Sequence, residues 1–195
     1  MYIFGASGHG KAVIELAEIH SIVDGVFDDN PIHTHLLGYS IFNSSNGIES
    51  SAQFFIAIGD NHNRREVYKR LGVDRSYGTL IHPSAIVSQR SLVGQGTVIM
   101  EGAIIKVDAV IGNQVIINTA ASVDHDCVVG DFVHIAPRAT LCGGASIGEG
   151  TIVGAGSVVT PYVKIGSWCK ISAGSVVNRD IPDGAVWVGT GLKGQ

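Results

Sequence analysis

The sequence is poor in charge, in aromatic side chains and in proline. Of its 195 residues, 15% are charged, 7% are aromatic and five are proline. The scarcity of proline and the lack of strict triplets exclude a collagen-like chain, although 26 glycines are roughly twice the usual share. Because 45% of the residues are hydrophobic, disorder is disfavoured. The excess glycine is therefore expected inside ordered structure.

The chain also lacks a basic excess, a cysteine framework and a long apolar run. A net charge of −4 disfavours nucleic acid as a partner. Three cysteines without a Cys-x-x-Cys motif indicate reduced thiols. The N-terminus has neither a basic region nor a long apolar stretch, so we expect no signal peptide, no membrane partner and a cytoplasmic protein.

A six-residue repeat runs through the second half of the chain. In steps of six from Val87 to Val177, all 16 positions hold isoleucine, valine or leucine. Residues two apart in an extended segment share a face, so each hexad predicts a short strand with one large and one small inward side chain. The small or β-branched partners include Ala85, Ser91, Thr97, Ala103, Ala109, Ala121, Cys127, Ala139 and Ala145. Glycine often occupies the following turn, at Gly94, Gly112, Gly130, Gly148, Gly154 and Gly166.

This pattern resembles the hexapeptide-repeat acyltransferases, in which three hexads form one triangular coil. The resemblance implies a left-handed parallel β-helix over residues 81–195, including a C-terminal tail, with just over five coils. The alternative is a solenoid without an active site, such as an ice-binding protein. That alternative needs flat threonine ladders, whereas threonine is scattered here.

The first 80 residues lack the repeat and are organised as β-α-β units. The pattern predicts a small parallel α/β domain, a Rossmann-like fragment, over residues 1–80. The predicted strands and helices, in chain order, are Tyr2–Phe4, helix Lys11–His20, Ile22–Phe27, Phe54–Ile58 and helix Asn63–Leu71.

The glycine turn after the first predicted strand, Gly5-Ala6-Ser7-Gly8-His9-Gly10, is a candidate phosphate site. It resembles a P-loop, but Ala12 stands where that motif needs a Ser or Thr for Mg²⁺, so the NTPase interpretation fails. A glycine turn before a helix can bind a phosphate through backbone N–H groups and the helix dipole. Asp28 and Asp29 end the next predicted strand and can accept hydrogen bonds from ribose or base. The alternative is a plain β-α turn.

Three segments carry a narrower resemblance: Tyr2 to Gly10, Phe27-Asp28-Asp29, and Phe54 to Asn61. They resemble the subfamily of the sialic-acid O-acetyltransferases and nucleotide-4-aminosugar N-acetyltransferases, and within it the UDP-4-amino-sugar N-acetyltransferases of the bacillosamine pathway. The resemblance implies an enzyme of bacterial glycan biosynthesis that uses acetyl-CoA to acetylate the 4-amino group of a UDP-linked 4-amino-4,6-dideoxy sugar. It also implies that the N-terminal domain binds the nucleotide sugar through Ser7, Gly8, His9, Gly10, Asp28, Asp29 and Asn61.

His125 is the candidate catalytic base. Histidine suits proton transfer near neutral pH, and Asp124 or Asp126 can orient it and stabilise its charged form. A stack of 18-residue coils places Gly143 over His125, where a bare backbone leaves room for a thioester and an N–H faces the developing oxyanion. The alternative is a solvent-exposed histidine at a solenoid turn. Cys142 has no evident activating base, so we expect no covalent intermediate.

The family's catalytic segment is an Asn a few residues before a His flanked by acids, matched here by Asn118 and His125. The resemblance implies that His125 is the base, Asp126 its orienting partner and Gly143 the oxyanion donor. Asp126 stands where the relatives have Glu. The resemblance further assigns Asn118 to the substrate and His134 to acetyl-CoA.

The C-terminal segment from Val186 to Lys193 resembles the family's closing segment near the CoA nucleotide. Gly191-Leu192 replaces the Pro-Ala that is usual there. Lys193 is expected to contact a CoA phosphate.

His134 lies nine residues past His125, which is half a coil, so the two project from different sides of one solenoid. They share a site only where neighbouring chains bring them together. This spacing predicts a homo-oligomer with active sites between subunits, and the family's trimer fits.

Three other functions were weighed. A zinc carbonic-anhydrase relative uses three histidines in the same solenoid, whereas here only two lie within it and His82 lies at its edge, so we expect no metal. The enzyme alternative is O-acetylation of sialic acid or another sugar. The non-enzyme alternative is a sugar-nucleotide-binding scaffold that has lost transfer.

Overall fold

Two units make up the chain, Met1–Leu80 and Ile81–Gln195. The structure, a computed structural model, describes residues 1–20, 23–43 and 51–193. Ile22, the predicted start of the second strand, lies outside the described residues. Within the described ranges, no helix combines the length and apolarity needed to cross a membrane.

The N-terminal unit is a five-stranded sheet accompanied by two helices. The strands follow the order β3-β4-β2-β1-β5, and every neighbouring pair is parallel except the β3–β4 hairpin. β2 and β5 are buried along their whole length, as expected for strands inside a parallel α/β sheet. The elements are β1 (Tyr2–Phe4), α1 (Gly8–His20), β2 (Gly25–Phe27), β3 (His35–Leu36), β4 (Tyr39–Phe42), β5 (Phe54–Ile56) and α2 (Asn61–Leu71).

The predicted helices are present but begin earlier than expected. α1 begins at Gly8 rather than Lys11, so the second half of the glycine turn is already its first turn. α2 begins at Asn61 because the Asp60 carboxylate caps it, accepting a hydrogen bond from the Asn63 N–H.

The β3–β4 hairpin was not predicted. Its two-residue loop, Leu37-Gly38, has positive φ at both positions (48° and 88°), which is the backbone of a tight hairpin turn. Leucine is rare in that conformation, which is why the sequence signal was weak.

The second unit consists of two-residue strands, which is what a six-residue repeat predicts. Strands from β7 to β22 recur every six residues and carry the repeat positions. The strands are β6 (Leu80–Ile81), β7 (Ile86–Val87), β8 (Leu92–Val93), β9 (Val98–Ile99), β10 (Ile104–Ile105), β11 (Val110–Ile111), β12 (Ile116–Ile117), β13 (Ser122–Val123), β14 (Val128–Val129), β15 (His134–Ile135), β16 (Thr140–Leu141), β17 (Ser146–Ile147), β18 (Ile152–Val153), β19 (Val158–Val159), β20 (Lys164–Ile165), β21 (Lys170–Ile171), β22 (Val176–Val177), β23 (Val186–Val188) and β24 (Gly191–Leu192).

Each strand pairs in parallel with the strand 18 residues further on, as in Ile105 with Val123 and Val123 with Leu141. Three sheets result: β7-β10-β13-β16-β19-β22, then β8-β11-β14-β17-β20, and a third that contains β9-β12-β15-β18-β21 and ends in the antiparallel pair β23–β24. The repeat positions from Ile99 to Val177 are all buried and form one continuous core. The prediction of an α/β unit followed by a hexapeptide-repeat parallel β-helix is confirmed.

Glycine serves two different purposes in the coils. At the predicted turn glycines the coils approach closely: a Cβ on Gly148 would lie 2.5 Å from the carbonyl carbon of Gly166. Positive φ falls at another position, which recurs every six residues from Gly96 to Gly174 whether or not the residue is glycine. Asp126 (φ 60°) and Tyr162 (φ 62°) occupy two of these positions.

Replacing Gly148 by alanine tests the close approach between coils. The added methyl group has no space against the backbone of the next coil, so we expect Gly148→Ala to lower the free energy of unfolding by about 1–3 kcal/mol. Gly191→Ala is the matched control, because no atom lies within 4 Å of its Cβ position and its φ is not positive. Chemical denaturation of both variants checks this, and equal losses would contradict the packing argument.

Candidate active site

The corner between β13 and β14 carries Asp124, His125 and Asp126. The backbone of His125 is fixed on both sides: its N–H donates to Oδ1 of Asp124 at 2.8 Å, and its carbonyl accepts from the N–H of Gly144 at 2.9 Å. The imidazole is 50% exposed. The local structure therefore holds the residue in place while its ring stays accessible to a substrate.

Asp126 orients the imidazole. Oδ2 of Asp126 lies 2.7 Å from Nδ1 of His125, so the shorter side chain, compared with the Glu of the relatives, still reaches the ring. In the neutral imidazole Nδ1–H donates to this carboxylate, which leaves the lone pair on Nε2. Within the described residues Nε2 has no hydrogen-bond partner. This arrangement presents a proton acceptor to solvent.

The pKa of His125 is raised above its ordinary value. The hydrogen bond to Asp126 is the largest cause and the negative charge of Asp124 adds to it, while partial desolvation and the positive charge of Lys106 oppose it. A raised pKa makes His125 a stronger base. It also means that more of the imidazole is protonated at a given pH.

Gly143 lies directly against the ring of His125, as the 18-residue spacing indicates. A Cβ on Gly143 would lie 2.6 Å from Cε1 and 2.7 Å from Nε2 of His125, so no larger residue fits without displacing the ring. The Gly143 carbonyl accepts from the N–H of Tyr162 at 3.1 Å, whereas its own N–H has no acceptor among the described residues. An N–H beside a base is the geometry of an oxyanion donor.

Asn118 and His134 form a second group, on another sheet. His134 lies in β15 and pairs with Ile116 of β12, which Asn118 follows. Nδ2 of Asn118 lies 3.0 Å from Nε2 of His134, and Oδ1 of Asn118 accepts from the Thr119 N–H at 2.8 Å. The β12–β15 sheet does not contain β13 or β14, so within one chain His134 and His125 lie on different sides of the solenoid.

Lys193 follows β24 at the end of the third sheet. Its N–H donates to the carbonyl of Val186 at 2.8 Å, and its side chain is exposed. Its expected contact with a CoA phosphate stays a prediction.

The N-terminal unit has a cavity of about 590 Å³ at the carboxyl ends of β1, β2 and β5. Ligands of parallel α/β sheets bind at this edge, where neighbouring strands are followed by loops. The lining consists of Phe4, Gly5, Ser7, Asp28, Asp29, Asn30, Ile58, Asn63, Glu66, Val67 and Arg70.

Of the predicted nucleotide-sugar residues, Ser7, Asp28 and Asp29 line this cavity. Asp28 also fixes the glycine turn, because its carboxylate accepts from the N–H groups of Ala6 at 2.8 Å and Asn30 at 2.9 Å. The other four, Gly8, His9, Gly10 and Asn61, do not line it. Their contact with a substrate stays a prediction.

One face of α2 forms a wall of the cavity that sequence reasoning missed. Asn63, Glu66, Val67 and Arg70 follow the i, i+3, i+4, i+7 spacing of a single helical face, which was the available signal. Arg70 is held in place by an ion pair to Oδ2 of Asp29 at 2.6 Å and by the ring of Phe4, whose centroid lies 5.2 Å from Cζ.

A buried arginine lies below this wall. Arg64 donates to the carbonyl of Ile58 at 2.8 Å and to Oδ1 of Asn61 at 2.7 Å, and burial lowers its pKa to about 9. Burial and the positive charge of Arg64 lower the pKa of His9 to about 4, so His9 is neutral at neutral pH. Asn61 thus joins the loop after β5 to α2.

No cluster of three or more His, Cys, Asp or Glu residues suited to a metal occurs in residues 1–20, 23–43 and 51–193.

Comparison with known proteins matches both units. The PglD N-terminal domain family matches residues 1–71, and the bacterial transferase hexapeptide (six repeats) family matches residues 144–179. The acetyltransferase domain of PglB from Neisseria gonorrhoeae FA1090, also solved in complex with acetyl coenzyme A, is 34% identical, with 95% of this chain and 94% of that chain covered and a TM-score of 0.89. PerB from Caulobacter crescentus, solved with CoA and GDP-perosamine, is 36% identical, with 99% and 96% covered and a TM-score of 0.90.

A third relative is a curated enzyme. The UDP-N-acetylbacillosamine N-acetyltransferase of Bacillus subtilis (strain 168) is 42% identical over 103 residues, which are 48% of this chain and 47% of that protein. The match therefore spans about half the length of the curated relative.

Fold and corner geometry together define a hexapeptide-repeat acyltransferase with an N-terminal α/β unit. More closely, the chain belongs to the family of acetyl-CoA-dependent amino-sugar N-acetyltransferases that includes PerB and the PglB acetyltransferase domain. The resemblance drawn from the sequence is confirmed.

Asp126→Asn is expected to move the pH dependence of activity. Removing the carboxylate lowers the pKa of His125, and because the neutral imidazole is the base, the acidic limb of kcat/KM moves to lower pH. The alkaline plateau falls by at least about tenfold, because an amide no longer selects the Nδ1–H tautomer. Asparagine tolerates positive φ, so the corner itself is preserved. A kinetic pH profile together with an NMR titration of His125 measures both effects.

Asp108→Asn is the matched control, since Asp108 occupies the same corner position one coil earlier with φ 59°. Its profile should match that of the unchanged protein. An Asp126→Asn profile that also stays in place would refute the orienting role of Asp126.

Proposed function

We propose that this protein transfers the acetyl group of acetyl-CoA to the 4-amino group of a UDP-linked 4-amino-4,6-dideoxy sugar. The observation that carries the proposal is the corner where Asp126 orients His125 and the Gly143 N–H lies beside the ring. Acyl transfer from a thioester to an amine needs these two elements, a base and an oxyanion donor. Family membership supports the same reaction class.

Transfer is direct in this proposal. The amine nitrogen attacks the thioester carbonyl carbon while its proton passes to Nε2 of His125. The negatively charged oxygen of the tetrahedral intermediate accepts a hydrogen bond from the Gly143 N–H. When the carbon–sulfur bond breaks, CoA leaves as a thiolate and takes the proton from Nε2, which regenerates the base. Asp126 keeps Nδ1–H fixed and stabilises the imidazolium during this exchange.

The nucleotide sugar is assigned to the N-terminal cavity. Ser7 and the first turn of α1 offer a hydroxyl and a helix N-terminus to the phosphates, and Asp28 and Asp29 offer carboxylates to ribose or base. His9, being neutral, adds no charge to that site. We assign the further substrate contacts Gly8, Gly10, Asn61 and Asn118 by resemblance.

Acetyl-CoA is assigned to the solenoid, with Gly143, His134 and Lys193 as its contacts. Because His134 and His125 lie on different sheets of one chain, the complete site needs two chains. We therefore propose a homotrimer with three active sites between subunits, working in the cytoplasm in bacterial glycan biosynthesis.

GDP is the second candidate nucleotide. PerB, solved with GDP-perosamine, matches this chain over its whole length, whereas the Bacillus subtilis enzyme, whose name specifies UDP, matches half of it. O-acetylation is the remaining enzyme alternative.

A thioester-release assay across UDP-, GDP- and dTDP-linked 4-amino sugars and CMP-sialic acid tests the substrate. We expect the UDP-linked amine to have the highest kcat/KM, by at least about tenfold. His125→Ala should lose about 10²- to 10⁴-fold in kcat/KM while its fold and mass stay unchanged, because the side chain is half exposed at a corner. Release with CMP-sialic acid alone would establish the O-acetylation alternative, and no release with any acceptor would leave the scaffold.

Mixing two inactive variants tests the shared site. In trimers assembled from equal amounts of His125→Ala and His134→Ala chains, about a quarter of the sites should receive both intact histidines and recover activity. The parent variants, each mixed with itself, are the controls. Activity that never exceeds the mean of the parents, or a monomeric mass with full activity, would refute the shared site.

A further inference from the structure

Tyr162 is an exposed aromatic residue at the corner that carries His125. Pro161 and Tyr162 stand 18 residues after Gly143 and Gly144, which in turn follow His125 and Asp126 by 18. The backbone confirms this stacking, because the N–H of Gly144 donates to the carbonyl of His125 and the N–H of Tyr162 donates to the carbonyl of Gly143. Tyr162 therefore lies one coil beyond the proposed oxyanion donor.

The ring of Tyr162 packs flat against the neighbouring coil. A Cβ on Gly144 would lie 2.5 Å from Cδ1 and 2.7 Å from Cε1 of Tyr162, so the glycine leaves the space that the ring occupies. The residue is nevertheless 75% exposed. Its hydroxyl has no hydrogen-bond partner in the described part of the chain. The side chain thus forms a rigid apolar surface next to Gly143 that nothing within this chain covers.

Pro161 changes the chemistry of this level of the corner. It occupies the position equivalent to His125 and Gly143, but it has no N–H to offer. A ligand that receives a hydrogen bond from Gly143 meets no equivalent donor one coil further on. What it meets there is the ring of Tyr162, so this level suits an apolar part of a ligand.

The order along the corner indicates which substrate this is. His125 must face the attacking amine, and the Gly143 N–H must face the thioester carbonyl. The arm of the donor leaves the carbonyl on the side away from the amine, and Tyr162 lies on that side of Gly143. One coil step is about 4.8 Å, a distance that a few bonds of a thioethylamine arm cover.

We propose that Tyr162 binds the acyl donor, with its ring packed against the mercaptoethylamine arm of acetyl-CoA next to the thioester. This inference rests on the proposed function and adds a binding residue that neither the glycine loop nor the histidine motif indicates. The ring acts through its apolar surface, and the hydroxyl is dispensable.

Tyr162→Asn removes the ring while keeping a residue that tolerates positive φ. We expect the KM for acetyl-CoA and the Kd for CoA to rise about five- to tenfold, with kcat and the KM for the nucleotide sugar changed by less than about twofold. Tyr162→Phe should behave like the unchanged protein. Steady-state kinetics gives the KM values, and calorimetry with CoA alone gives the Kd without relying on catalysis.

Trp168→Asn is the matched control. Trp168 has the same positive φ (56°) and packs against Gly150 as Tyr162 packs against Gly144, but it lies at the corner between β20 and β21. The CoA affinity of this variant should not change, although both substitutions remove ring packing on a glycine.

The proposal is overturned if Tyr162→Asn binds CoA as tightly as the unchanged protein, if its effect falls on the KM for the nucleotide sugar, or if Trp168→Asn weakens CoA equally. A Tyr162→Phe variant as impaired as Tyr162→Asn would overturn the apolar role. These outcomes differ from a failure of the proposed function, in which the unchanged protein itself would neither bind CoA nor release it from acetyl-CoA.

Discussion

The parallel backbone ladder between coils is the constraint on which the candidate chemistry depends. Each residue pairs with the one 18 positions further on, so a corner repeats its geometry at every level while its side chains change. His125, Gly143 and Tyr162 become neighbours only through this stacking. A single inserted residue between two of these levels would shift every later side chain to another face, which is why function and register are inseparable in this fold.

Two histidines of this chain show how environment sets chemistry. His125 lies half exposed at a corner, where Asp126 and Asp124 raise its pKa. His9 lies in the first turn of α1, where burial and the charge of Arg64 lower its pKa to about 4. The same side chain is therefore a proton acceptor poised for transfer in one unit and a permanently neutral group in the other.

The corner position with positive φ has a role beyond shaping the turn. It is occupied by Asp126 beside the base, by Gly144 one coil later and by Tyr162 after that. Because the backbone conformation is imposed by the coil and not by the residue, this position can exchange a carboxylate, an empty space and an aromatic ring without altering the fold. The departures of this chain from its relatives, Asp126 in place of Glu and Gly191-Leu192 in place of Pro-Ala, likewise leave the strands in place.

The sequence by itself determined the repeat, its register and the glycine beside His125, because a hexad pattern and an 18-residue coil are periodic and can be counted along the chain. It also indicated the β-α-β order of the first unit, apart from the β3–β4 hairpin hidden by Leu37. Only the tertiary structure decided which side chains share the N-terminal cavity: the face of α2 with Arg70, and not Asn61, which is buried against Arg64. Burial and contact across α2 and the sheet depend on how non-repeating elements pack, and no period in the sequence records that packing.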